Sequence, residues 1–242
     1  MLLSRSESDV AVSESNRSLI DDLQARIEAR RTFGNHPLWR RIAAGELPIE
    51  QLRQFAVQFF LQVREFPRAV SAMHSRCPFD DARRELAESV YEEETGRISG
   101  CDLPHPELFI RFGRALGLER DELTEGRPLP ETAALIDWFE VASQNRSFIE
   151  AAAAINLAAE GQVPGAFGPM ARALEKHYGL SRQDVAFWDV HEVADADHSD
   201  VGDHIVVKHA NSEELRCKVR DALDRSLAAW WSFFDGIERS LS

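Results

Sequence analysis

The chain has 242 residues, 44% of them hydrophobic, with a formal net charge of −13. That composition excludes a disordered polymer and supplies apolar surface for a large core, while the acidity disfavours nucleic acid and anionic membranes as partners. Cys77, Cys101 and Cys217 form no CxxC pair, which fits a reducing compartment better than a disulfide scaffold.

The first stretch, MLLSRSESDVAVSESN, is polar and Ser-rich. It lacks a basic region followed by an apolar core, so no secretory signal is expected. It reads as a flexible tail over residues 1–16, with a helical domain over 17–242 and a cytoplasmic location. No apolar run approaches the roughly 20 residues that span a bilayer.

Helical period dominates the chain beyond the tail. Leu19, Ile20, Leu23 and Ile27 form one stripe. HPLWRRIAAGEL is a short helix ended by Gly45. A long helix opens at Pro48 and is expected to kink at Pro67. DDARRELAESVYEEETG stops at Gly96, and HPELFIRFGRALGL comes next, closed by Gly117. In the second half come PETAALIDWFEVASQ, RSFIEAAAAINLAAEGQ and PGAFGPMARALEKHYGL. Two further helices have Ser181 and Ser212 as candidate N-caps. No strand pattern is visible, so the expected fold is all-α, one helical bundle of about eight to ten helices.

One segment departs from the amphipathic pattern: HEVADADHSD, residues 191–200. His191, Asp195 and His198 are spaced by four and then three residues, which puts them on one helical face. Two imidazoles and a carboxylate make a metal half-site. The rest must come from other helices. Glu160 lies in an almost wholly apolar, alanine-rich segment, where a carboxylate is costly unless paired, protonated or metal-bound. His105 follows the EEET helix end closely enough to share a point with one of its glutamates. Glu94 is slightly favoured, Glu93 stays open, and Glu92 falls off both helical stripes. The set Glu94 (or Glu93), His105, Glu160, His191, Asp195 and His198 suits two iron or manganese ions, with open positions for dioxygen and substrate. Gln58, Gln62 and Glu65 on the long early helix are not counted as ligands. Phe59, Phe60 and Phe167 are candidate pocket walls, and Trp138, Trp188, Trp230, Trp231, Phe233 and Phe234 are read as core.

With these residues in this order the chain resembles the haem-oxygenase-like di-iron oxidases and oxygenases, related in fold to thiaminase II and pyrroloquinoline-quinone synthase. The resemblance rests on the H-x3-D-x2-H run, on Glu94, Gly96 and His105, on buried Glu160, and on FAVQFFLQVREFPRAV. It spans roughly residues 35 to 235. It implies a haem-oxygenase-like helical bundle and two ferrous ions that activate dioxygen against a small substrate, such as an amino acid or fatty acid, in a biosynthetic pathway. It gives Glu94, Glu160 and Asp195 catalytic weight. A homodimer is compatible with the sequence. The competing readings are a cofactor-independent enzyme of the thiaminase II or quinone-synthase type, and a non-catalytic helical interaction protein.

Overall fold

Pro37, Pro67, Pro106 and Pro130 each stand in the first turn of a helix, where the missing N–H removes no hydrogen bond. In the computed structural model, the backbone is described for residues 7–241, and side chains for residues 17–192, 202 and 205–241. The elements are α1 (Glu7–Arg30), α2 (Pro37–Ala43), α3 (Ile49–Val63), α4 (Phe66–Arg76), α5 (Asp80–Thr95), α6 (His105–Ala115) and α7 (Arg120–Thr124). They continue with α8 (Pro130–Asn145), α9 (Phe148–Ala152), α10 (Phe167–Tyr178), α11 (Ala186–His209) and α12 (Glu213–Ser240). Among the described residues there is no strand, as the sequence predicts.

Local differences from the sequence reading have physical causes. α1 begins at Glu7, within the segment 1–16 that the sequence reads as a tail. The long early helix does not kink at Pro67 but breaks before it. α3 ends at Val63 and α4 restarts at Phe66, since the ring of Pro67 cannot sit inside a continuous ladder. Ser181 does not cap α11. It closes a preceding turn with Asp184, and α11 starts at Ala186. Ser212 does cap α12, its hydroxyl accepting from the Leu215 N–H.

The alanine-rich segment is not one regular helix. α9 starts from a capping box between Ser147 and Glu150. It then widens into a π turn over Ala153–Leu157, and a 3₁₀ turn comes after it over Glu160–Gln162. Ala151 to Ala159 are buried throughout. Gly202 of α11 lies so close that a Cβ there would stand 2.9 Å from Leu157 and 3.2 Å from Asn156. Small residues on one element and glycine on the other allow this approach.

The core is aromatic. Trp39, Phe59, Phe167, Trp230 and Phe234 all have ring centroids within 6.4 Å of that of Phe33. α12 runs against α8, α9, the π turn and α1, while α11 runs against α10, α6 and the same π turn. Ser226 of α12 ties these layers together. Its hydroxyl donates to Ala154 O at 2.7 Å and accepts from Trp138 Nε1 at 2.6 Å. Ser226→Ala leaves that buried indole N–H without an acceptor. A loss of about 1–3 kcal/mol is expected, read from urea denaturation midpoints, and an unchanged midpoint contradicts the role given to this hydroxyl.

Candidate metal centre

α5 ends at Gly96 in the left-handed conformation, φ 61°. A Cβ there would collide with the Leu103 carbonyl, so glycine is required for the chain to fold back. The returning loop delivers His105, at the start of α6, onto the last turn of α5. Both sequence-weighed glutamates are visible there. Glu94 is exposed, whereas Glu93 is buried. Glu93 Oε1 lies 3.0 Å from His105 Nδ1. Of the two glutamates weighed, Glu93 is the one that the fold turns toward His105. The helix rotates Glu94 toward solvent, and its neighbour faces the core.

Glu92, set aside in the sequence reading, is almost fully buried. Its carboxylate accepts from Ile98 N at 2.7 Å and Ser99 N at 3.2 Å, and lies 3.2 Å from His105 Nε2. Burial opposes its charge, but the bonds from Ser99, Ile98 and His105 hold its carboxyl below the usual range. A stripe argument misses it because it faces the loop rather than the neighbouring helix. A glutamate four residues before a helix-ending glycine, with a short loop beyond, is the available signal.

His105 is 2% exposed. Burial alone would lower its pKa, but Glu93 and Glu92 outweigh that and raise it to about 9. Nε2 is engaged by Glu92. Nδ1 sits against Glu93 without the alignment of a hydrogen bond, a buried polar atom lacking such a partner. His191 supplies the third group. Its Nδ1–H donates to the Phe187 carbonyl at 2.7 Å, which fixes the tautomer and makes Nε2 the lone-pair nitrogen. The two imidazole rings lie 4.5 Å apart. Ligand atoms of Glu93, His105 and His191 all fall within 4.8 Å of one another.

Glu160 lines the same cavity as Glu93 and His191. Asn156 donates to both its oxygens, at 3.4 and 3.3 Å. Burial dominates and pushes its pKa up to about 8. Glu93 pushes the same way, and Asn156 and His105 only partly oppose. Four of the sequence-weighed groups, with Glu93 in place of Glu94, thus share one neighbourhood. The side chains of Asp195 and His198 lie outside the described residues, although the α11 backbone is helical through both.

The aromatic walls are Phe33, Phe59, Phe66, Phe167, Phe187 and Trp230. Phe59 and Phe167 stand where the sequence reading put pocket walls. Phe60 is not among them. Glu65 pairs instead with Arg64 and Arg68. Gln58 is spent on Arg127 O, Leu129 N and Thr132 Oγ1. Glu192, next to His191, accepts from Gly165, Phe167 and Gly168 N–H at 2.8, 3.1 and 2.9 Å, and so caps α10 with a side chain from α11. A second acidic group, His36 with Asp235 and Glu238, is structural. His36 Nδ1 accepts from Leu38 N and Nε2 faces Asp235, so both ring nitrogens are committed.

The donor set fits a divalent metal such as iron. Two imidazoles held in place by hydrogen bonds and two buried carboxylates offer intermediate-softness ligands to iron or manganese. The sequence pattern of iron-containing redox enzymes matches residues 53–231. The 4-aminobenzoate synthase of Nitrosomonas europaea is 34% identical over 215 residues, covering 85% of each chain. A TenA homologue from Pseudomonas syringae superposes with TM-score 0.77 at 17% identity, over 91% of this chain and 93% of that one. A domain with a haem-oxygenase-like fold from Shewanella denitrificans gives TM-score 0.71 at 14% identity, over 94% and 92%. The chain has the haem-oxygenase-like all-α fold and belongs to the family of iron-containing redox enzymes.

Proposed function

We propose that this chain is a non-haem di-iron oxygenase or oxidase that uses dioxygen to transform a small molecule in a biosynthetic pathway. The observation that carries the reading is the convergence of Glu93, His105 and His191 within 4.8 Å, beside buried Glu160. These four would hold the ions. Asp195 and His198, four and seven residues beyond His191 on α11, complete the proposed set. Manganese suits the same donors. The 34% identity to a 4-aminobenzoate synthase makes formation of an aromatic biosynthetic product the first activity to assay.

When bound, two ferrous ions supply the electrons that let dioxygen react with an organic substrate. The chain's own residues do the rest. Glu92 holds His105 by Nε2, leaving Nδ1 for the site. The Phe187 carbonyl orients His191 in the same way. Glu160, protonated while buried and metal-free, would give up that proton to serve as a ligand. The aromatic walls exclude water, which limits leakage of reactive species. A thiaminase-like nucleophile is not supported: no cysteine lines the cavity among the described residues, and burial pushes the Cys77 thiol up.

Anaerobic loading should give about two ferrous ions per chain by metal analysis. Glu93→Ala should lose at least one of them, and Glu94→Ala should keep both with unchanged circular dichroism. Equal loading of the two variants sinks the assignment of Glu93. Glu92→Ala should weaken iron binding by about 10–100-fold through loss of the His105 tether, measured by competition with a chelator.

The pH dependence has a defined sign. In the metal-free protein Glu160 stays protonated to about 8 against an ordinary 4.5, and His105 to about 9 against 6.5. The folded state therefore binds more protons than the unfolded state across both windows. Stability falls as pH rises from 4.5 toward 8 through Glu160, and from 6.5 toward 9 through His105. Urea midpoints of metal-free wild type and Glu160→Gln should converge below pH 4.5 and separate progressively as pH rises from there to about 8, with the variant the more stable. Metal uptake should release protons and tighten with pH through the same range, measured by titration in weak buffer.

A further inference from the structure

Gln58 and Gln62 lie one turn apart on α3, and both are buried, at 9% and 4% exposure. Gln58 spends its carboxamide on three structural hydrogen bonds. Gln62 makes none with its side chain among the described residues, although a buried amide left unpaired is costly. It lines the cavity that Glu93, Glu160 and His191 also line. Among the described residues every other wall is aromatic or aliphatic: six rings, with Val63, Ala159 and Val163. No lysine, arginine, serine, threonine or tyrosine faces it among the described residues. Trp230, one of the rings, has an indole N–H that is likewise unpartnered.

We propose that Gln62 is the substrate-recognition residue of this site, and that the substrate is a mainly apolar, ring-bearing molecule with a single hydrogen-bonding group for that carboxamide. The inference rests on the metal-centre reading in one respect. Glu93 and Glu160 are committed to the ions, which leaves no carboxylate among the described lining residues to pair with a substrate ammonium. A zwitterionic amino acid therefore has no partner for one of its charges, and burying it unpaired is prohibitive. A carboxamide can both donate and accept, so it meets a hydroxyl, an amide or an acid without demanding charge. The cavity measures about 50 Å³. A benzene-sized site needs about 150 Å³, so one of the wall rings must turn aside for the ligand.

The test is calorimetric and ligand-detected NMR titration of the full chain, metal-free and after anaerobic iron loading, with p-cresol, toluene and phenylalanine as probes. Wild type should bind p-cresol in preference to toluene and leave phenylalanine unbound. Gln62→Leu should weaken p-cresol by about tenfold and toluene not at all, the value of one buried hydrogen bond. Its thermal midpoint should hold or rise, because an unpaired amide is removed; a structural glutamine would lower it. Gln62→Asn, shorter by one methylene, should recover part of the preference. Equal affinities of wild type and Gln62→Leu for p-cresol overturn the proposal, as does tighter binding of phenylalanine or absence of binding by any probe. The metal-free titrations separate the two readings. Failure to load iron with the p-cresol preference intact removes the metal centre and leaves the recognition residue.

Discussion

A carboxylate buried among alanines and aromatic rings must find a proton, a cation or a metal, and the interior of this bundle is organised around that demand. Glu160 is 7% exposed, and among the described residues its hydrogen-bond donor is the Asn156 amide, at long range. That is too little to keep it ionised, so without metal it holds a proton. Glu93, His105 and Glu92 carry the same tension a few ångströms away, and resolve it by keeping His105 charged. Two positive ions would relieve both at once, replacing the protons with charges better placed to meet several carboxylates. The same groups that weaken the metal-free protein are thus the ones that would bind most strongly.

Irregular backbone is what brings Glu160 to the site. A continuous α-helix from Phe148 would set the direction of its side chain by the 3.6-residue period. The π turn at Ala153–Leu157 inserts an extra residue, and the 3₁₀ turn at Glu160 tightens the chain afterwards. This departure is held by its surroundings, through Ser226 on Ala154 O and the glycine contact of Gly202 with Leu157. A stretch of alanines has no side-chain interlock of its own, so neighbouring elements determine its path.

The same dependence on neighbours divides what is legible in the sequence from what is not. Helices with strong apolar period, caps and glycine stops are legible: α5 ends at Gly96 and α12 begins at Ser212 as predicted. The buried character of Glu160 is legible from the absence of any charged neighbour on its own element. The choice between Glu93 and Glu94 is not, because at a helix end the burial direction is set by the loop that folds over it rather than by the stripe upstream. Glu92 escapes a stripe argument for the same reason. The π turn leaves no trace, since alanines satisfy α, π and 3₁₀ geometry almost equally.

One further contact joins the metal-binding helix to the cavity wall. α10 begins without a side-chain cap of its own, and Glu192 of α11 supplies one, accepting three N–H groups from residues 165 to 168. Negative charge at a helix N-terminus is favourable, and a partly buried geometry strengthens it. The residue before it is His191 and one of the three donors belongs to Phe167, both of which line the cavity. Imidazole and wall ring are therefore fixed to each other through a single carboxylate. A Cβ at Gly168 would lie 3.1 Å from the Glu192 side chain, a close contact that glycine leaves open for the clamp. The end of α11 that carries the first imidazole of H-x3-D-x2-H is consequently anchored to α10, and the orientation of His191 depends on that anchor as much as on its own helix.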